Sequence, residues 1–210
     1  MKSFGESKLY TFVDTAYLRG RDPVGLARQL CVGGSDIIQL RAKKKSAHEI
    51  KGLAHAILQI TRSAGVPLVI NDYADIAAEV GAECVHLGQE DFFDAGLSHR
   101  VQLSTLNSQL GLSSHAPEQA RRAVEAGADY IAVGPVFATG TKPGRAPVTL
   151  DYVRWAAANV RLPWFAIGGI TLENIDDVLA AGARRVCVVS AILNAPDVAE
   201  ACREFKRRLT

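Results

Sequence analysis

Runs of β-branched and apolar residues recur along the chain at Leu9 to Val13, Asp36 to Leu40, Pro67 to Ile70, Cys84 to Leu87, Gln109 to Ser113, Tyr130 to Val133, Trp164 to Ile167 and Arg185 to Val189. Each is short and close to continuously apolar, the pattern of strands covered on both faces. Helix-like spacing separates most of them. It is clearest from Ser46 to Ala64, where Ile50, Leu53, Ala54, Ile57, Leu58 and Thr61 fall on one helical face. Ser46 and Glu49 have the spacing of a capping box, and Gly65 followed by Pro67 stops that helix.

A second regularity is an echo in which a helix ends in glycine plus a small residue and the next strand begins soon after. It occurs as Gly33-Gly34-Ser35-Asp36, Gly81-Ala82-Glu83, Gly127-Ala128-Asp129 and Gly182-Ala183-Arg184. Glycine suits the left-handed position after a helix C-terminus, and a short connection to the next strand follows. Strand and helix therefore alternate, which predicts an α/β protein with a parallel sheet. Eight such units in 210 residues favour a closed (β/α)8 TIM barrel over an open doubly wound sheet. The expected organisation is one barrel domain over residues 1–210, with the weakest helical pattern between Asp91 and Leu110.

Length agrees, since a chain of this mass buries roughly 70% of its unfolded surface. The net charge of +2 has mixed signs and no basic stripe, so nucleic acid is not an expected partner. No run is long enough for a membrane span and Met1 to Lys8 carries no apolar segment, so the expected location is the cytoplasm. Cys31, Cys84, Cys187 and Cys202 show no metal-ligand spacing and read as free thiols, two of them in strands. A homodimer is compatible with the sequence, although no interface pattern marks one.

Candidate chemistry collects where the apolar runs end. Arg41 and Lys43 close the second run, Asn71-Asp72 the third and Gln89-Glu90-Asp91 follows the fourth. In a parallel barrel these ends share one mouth. Asp72 and Asp91 could hold Mg²⁺ with phosphates and water completing the shell, while Arg41 and Lys43 grip phosphate oxygens. The alternative is plain surface ion pairing among the four. After the sixth run, Gly134 to Gly144 offers Thr139, Thr141 and Lys142, and the loops Gly168-Gly169-Ile170-Thr171 and Val189-Ser190-Ala191-Ile192 expose backbone N–H groups, the first leading into an expected helix Leu172 to Ala180. Such loops suit a phosphate, or else Gly168-Gly169 simply makes a tight turn. A cation-and-metal side facing an anion side suits two phosphorylated substrates, one with a diphosphate leaving group. No nucleophile triad is visible. His86 and His115 suit core or supporting roles, with His115 within reach of the pocket as an acid or base.

The chain resembles thiamine phosphate synthase over nearly its whole length. The carriers are Gln39-Leu40-Arg41-Ala42-Lys43, Asn71-Asp72, His86 to Asp91, Gly111 to His115, Gly134 to Lys142, Ile167 to Ile170 and Val189 to Ile192. The resemblance implies a transferase that joins 4-amino-2-methyl-5-hydroxymethylpyrimidine diphosphate to a thiazole phosphate, releasing pyrophosphate through a pyrimidine carbocation. It implies that Gln39, Arg41, Lys43 and Asn71 contact the pyrimidine diphosphate, with Lys142 reaching its phosphates and Ser113 lining the pyrimidine pocket. Arg41, Lys43, Lys142 and Ser113 are then the catalytic set, and Asp72 and Asp91 bind Mg²⁺. Thr139 and Thr141 contact the thiazole phosphate, cradled by Gly169, Val189 and Ser190. Ala138, Lys44 and Val148-Thr149 depart from the family pattern, and Phe92 to Leu110 matches it poorly. Two rivals are a thiazole tautomerase, which has no use for the diphosphate and metal residues, and a non-catalytic phospholigand-binding barrel.

Overall fold

The computed structural model describes residues 4–103, 108–140 and 146–209. Among them, eight parallel strands close in sequential order: β1 Leu9–Asp14, β2 Ile37–Arg41, β3 Leu68–Asn71, β4 Cys84–Leu87, β5 Gln109–Ser114, β6 Tyr130–Val133, β7 Trp164–Ile167 and β8 Val186–Cys187. The expected (β/α)8 barrel is therefore present. Its last strand is shorter than the apolar run that announced it.

The helices are α1 Pro23–Val32, α2 Ala47–Ser63, α3 Ala74–Val80, α4 Pro117–Glu125, α5 Thr149–Asn159, α6 Ile175–Ala180, α7 Ser190–Leu193 and α8 Val198–Arg208. Ser46 caps α2 in the predicted box, its hydroxyl accepting from the N–H of Glu49 while the Glu49 carboxylate accepts from the N–H of Ser46. Among the described residues between β4 and β5 there are a wide helical turn at Glu90–Asp94 and a tight one at Arg100–Gln102. One expectation fails: α6 begins at Ile175, not Leu172. The Asn174 side chain explains the delay, because it accepts from the N–H of Thr171 and donates to the carbonyl of Gly169, holding the chain in a turn.

Strand side chains alternate between two environments. Leu9, Val13, Ile38, Leu40, Leu68, Ile70, Val85, Leu110, Leu112, Ile131 and Val133 are buried in the hydrophobic core. The alternate positions Tyr10, Phe12, Gln39, Arg41, Asn71, His86, Ser113 and Ala132 line a cavity inside the barrel. Its lower end is filled by rings: Phe165 lies edge-on to Tyr10 and Tyr130, at 5.4 and 5.6 Å between centroids, and Phe4 stacks on Tyr130 at 4.8 Å. The Tyr130 ring occupies the place a side chain would take at Gly111, its register partner on β5, where an added Cβ would lie 2.1 Å from a ring carbon.

The echo before the strands has a structural purpose. Asp36 accepts from the N–H groups of Lys8 and Leu9, Glu83 from that of Leu68, and Asp129 from that of Leu110. Each carboxylate thus ties its own strand to the start of the preceding one. Each is also paired with a cation: Lys206 at 2.6 Å, Arg62 at 3.1 Å and Arg100 at 2.7 Å respectively. No helix among the described residues is long and apolar enough to cross a membrane.

Two outcomes follow from this packing. Gly111→Ala forces the Tyr130 ring out of its place and should destabilise the fold by about 1–3 kcal/mol, read from the urea midpoint; an unchanged midpoint would contradict the packing. Burial also pushes the Cys84 and Cys187 thiols and the Tyr10 and Tyr130 phenols well above their ordinary values of 9.0 and 10.0. The folded chain then keeps protons that the unfolded chain releases, so stability is complete below about pH 9 and falls as pH rises beyond it. Urea midpoints measured from neutral to strongly alkaline pH should show this decline, and a flat profile would count against it.

Candidate active site

Asp14 and Arg41 end neighbouring strands as register partners, so their side chains meet at the mouth. The Arg41 guanidinium donates to the Asp14 carboxylate at 2.7 Å, with the two side chains only 14% and 2% exposed. The other Asp14 oxygen accepts from the N–H of Ala16 and caps the short turn Thr15–Tyr17. Arg41 is thus held by Asp14, a residue the sequence reading overlooked. Lys43 pairs with Asp72 at 3.2 Å, as the ion-pair alternative expected, and is about half exposed.

Asp72 sits in left-handed backbone, φ 68°, and its N–H donates to the carbonyl of His86 on the neighbouring strand end. Asp tolerates that region better than most side chains, and such strain recurs at functional sites. Asp91 folds back over the end of β4, where its carboxylate accepts from the N–H of Gly88 at 3.3 Å. Both residues offer carboxylate oxygens at the rim, the donor type Mg²⁺ takes, one or two at a time, beside phosphate and water oxygens. Among the described residues no three His, Cys, Asp or Glu gather as metal ligands. A metal held here would need further oxygens from water or a bound ligand.

Beneath the rim runs a chain of buried hydrogen bonds. The Gln39 amide donates to the Tyr10 hydroxyl at 2.6 Å, and the Tyr10 and Tyr130 hydroxyls are 3.0 Å apart. Tyr130 then meets His86 Nδ1 at 3.0 Å, and His86 Nε2 meets the Ser113 hydroxyl at 3.0 Å. With Gln39 supplying a proton to Tyr10, the arrangement that uses both phenol protons within the chain runs from Tyr10 through Tyr130 to His86 Nδ1. In that arrangement His86 Nε2 carries the proton and donates to Ser113, leaving the Ser113 proton for a ligand. Gln89 steadies Ser113 by donating to its carbonyl at 2.6 Å. Asn71 completes this side: it is buried and lines the cavity, and its Nδ2 has no acceptor among the described residues.

The opposite wall is backbone. The N–H groups of Val136 and Phe137 donate to the carbonyls of Ile167 and Gly168, zipping the β6 and β7 loops together. The contact is close enough that a Cβ on Gly168 would lie 2.4 Å from Pro135, and one on Gly169 2.7 Å from the Ala138 carbonyl, with both glycines at positive φ. The tight turn and the exposed backbone expected at Gly168-Gly169 thus coexist. Among the described residues, the N–H groups of Gly169 and Ser190 have no backbone acceptor. His115 bonds the Gly134 carbonyl through Nδ1 and lines the same cavity.

One cavity, about 880 Å³ of space with the solvent at its open mouth included, unites Gln39, Arg41, Asn71, Ser113, Thr139, Gly169, Val189 and Ser190. Lys43, Asp72 and Asp91 stand outside its lining; the first two form the ion pair and the third covers Gly88. Thr141 and Lys142 lie outside the described residues. Asp14, Tyr10 and Tyr130 were missed. The acidic end of the first apolar run was the signal for Asp14, matching the charged ends of the next three.

A family model described as thiamine monophosphate synthase matches residues 9–192. A thiamine-phosphate synthase of Thermus thermophilus is 50% identical over 178 residues, covering 84% of each chain. One from Acidothermus cellulolyticus is 44% identical over 209 residues, covering 99% of this chain and 97% of its own. Among solved structures, a thiamine phosphate pyrophosphorylase from Pyrococcus furiosus superposes with a TM-score of 0.85 at 29% identity, covering 98% of this chain and 96% of that one. With a shared barrel and this site at its mouth, the chain belongs to the thiamine monophosphate synthase family of transferases.

Proposed function

We propose that this protein joins 4-amino-2-methyl-5-hydroxymethylpyrimidine diphosphate to a thiazole phosphate, giving thiamine phosphate and pyrophosphate. The observation that carries the reading is the division of one cavity into two unlike walls. The wall from β2 to β5 presents side-chain donors, including the buried Asn71 amide, and the wall from β6 to β8 presents backbone N–H groups. Two ligands with different anionic ends fit such a cavity.

In this reading the bond from the pyrimidine methylene carbon to the diphosphate oxygen breaks, and the electron pair leaves with pyrophosphate. The resulting carbocation is captured by the thiazole nitrogen lone pair. That nitrogen becomes quaternary with no proton to lose, so the reaction calls for no general base, in keeping with a site built from donors. Arg41, pre-aimed by Asp14, grips the diphosphate with Lys43, Asn71 and Lys142. Ser113 and Gln39 orient the pyrimidine, Ser113 through the proton that the His86 chain leaves free. Thr139, Thr141, Gly169, Val189 and Ser190 hold the thiazole phosphate. Asp72 and Asp91 would hold Mg²⁺, which supplies positive charge to the departing pyrophosphate.

The direct test incubates the protein with both substrates and either Mg²⁺ or EDTA. Thiamine phosphate and pyrophosphate should appear in equal amounts with Mg²⁺ only; binding of the thiazole phosphate alone with no product would favour the tautomerase or the non-catalytic binder. Asp91→Ala should cut the rate on the order of a hundredfold or more, within the range of losing one electrostatic contact to a developing charge, with an unchanged circular dichroism spectrum. Asp14→Asn retains an oxygen to cap Ala16 but removes the charge that orients Arg41. Losing that charge-assisted bond, about 1.5–3 kcal/mol, should lower kcat/KM by roughly 10- to 100-fold, together with a lower urea midpoint because the buried Arg41 is left without its counter-charge. Wild-type kinetics for this variant would show that Arg41 is placed without Asp14.

A further inference from the structure

The face of the barrel opposite the mouth breaks its own rule once. At the starts of β2, β4 and β6 the connection carries Asp36, Glu83 and Asp129, each tied to the preceding strand and to a cation. In the corresponding connection before β8, Gly182-Ala183 is followed by Arg184 and Arg185. A cation therefore stands where three other connections place an anion. Arg161, from the connection before β7, faces the same concavity, with Trp164 and Leu179 among its other lining residues and no carboxylate. None of the three arginines forms an ion pair with a described residue.

The concavity lies between the ends of α5 and α6, brought together at Gly182, where a Cβ would lie 2.6 Å from that of Ala157. Each helix C-terminus contributes at most about half a negative charge, so three guanidinium groups leave a surplus of about two positive charges. Arg185 spends one nitrogen on the Gly5 carbonyl at 2.5 Å, while its Nε is buried with no acceptor among the described residues. Burial, and then the neighbouring Arg184, weaken the hold of Arg185 on its proton, a cost that an anion in the concavity relieves.

We propose that this concavity is a second anion site, remote from the mouth, for a small phosphate-bearing ligand of two or more negative charges. Arg161, Arg184 and Arg185 line it and supply the positive charge. The charge is gathered in a concavity and not on a flat face, which favours a small oxyanion, and guanidinium groups match phosphate oxygens in geometry.

Trp164 lines the concavity and Trp155 is the chain's other tryptophan, so Trp155→Phe leaves a local fluorescent reporter. Inorganic pyrophosphate, titrated into this variant in EDTA, should change Trp164 emission saturably and bind more weakly as KCl is raised. Adding Arg161→Gln and Arg184→Gln, with Arg185 left to hold Gly5, should weaken binding at least about tenfold, whereas Arg161→Lys and Arg184→Lys should restore part of it. Glycerol phosphate in place of pyrophosphate separates the sources: comparable binding marks recognition of any terminal phosphate, and a clear preference for pyrophosphate marks the free anion. Arg41→Ala, which disables the mouth, should leave the signal intact. The proposal is overturned if millimolar pyrophosphate gives no saturable change, if the glutamine pair leaves binding as it was, or if Arg41→Ala abolishes it. None of these outcomes depends on whether the mouth makes thiamine phosphate.

Discussion

Eight strands closed on themselves leave an interior that must be filled, and filling it with tyrosine makes the rest of this site possible. Tyr130 lies across Gly111 and against Phe165, supplying apolar bulk where the barrel needs it. Its hydroxyl cannot be buried without partners except at a cost of a few kcal/mol, so the layer above must be polar. Tyr10, His86 and, through His86, Ser113 satisfy that demand. The floor of the pocket is thus a consequence of how the barrel is packed. Ser113 inherits its orientation from a chain that starts at Gln39 on another strand.

The far wall obeys a different constraint. A phosphate can be met by backbone only if the backbone is bare and fixed, and side chains at Gly168 or Gly169 would collide with the β6 loop. Glycine lets the β6 and β7 loops touch, and the hydrogen bonds from Val136 and Phe137 fix the contact. Asn174 adds to this by bonding both Gly169 and Thr171, which delays α6 and keeps the turn in place. Rigidity here comes from loops bonded to each other, so this wall does not rely on a helix starting directly after Gly169.

Most of the fold was legible because alternation of apolar runs and helical faces is a local signal, and Ser46 with Glu49 or Gly65 with Pro67 marks boundaries within a few residues. The site was legible in part. Arg41, Asn71 and Ser113 end or interrupt apolar runs, and a polar residue at the C-terminal end of a barrel strand has few structural reasons to be there. What the sequence did not disclose was pairing. Arg41 belongs with Asp14, 27 positions away, because β1 and β2 are in a register that no local pattern encodes. Tyr10 and Tyr130 fall within apolar runs, and their hydroxyl chain emerges only when distant strands of the barrel are brought together. The short β8 has the same origin: hydrophobicity extends to Val189, but only Val186 and Cys187 pair as strand.

The Arg41 and Asp14 pair shows how stability and function divide at the mouth. A buried ion pair gains little net stability over an apolar substitute, because desolvation offsets most of the attraction. Stability alone therefore gives weak reason to keep it. The value lies in arrangement: Asp14 spends one oxygen on the turn that follows β1 and the other on the guanidinium, fixing Arg41 to backbone without reaching its remaining donors. Lys43, half exposed and paired with Asp72 at a longer distance, is held far more loosely. In the proposed reaction, one rigid and one compliant cation would hold the diphosphate and follow its charge as the leaving group departs. Two rigid, fully desolvated cations would raise the burial cost, and two loose ones would give up orientation.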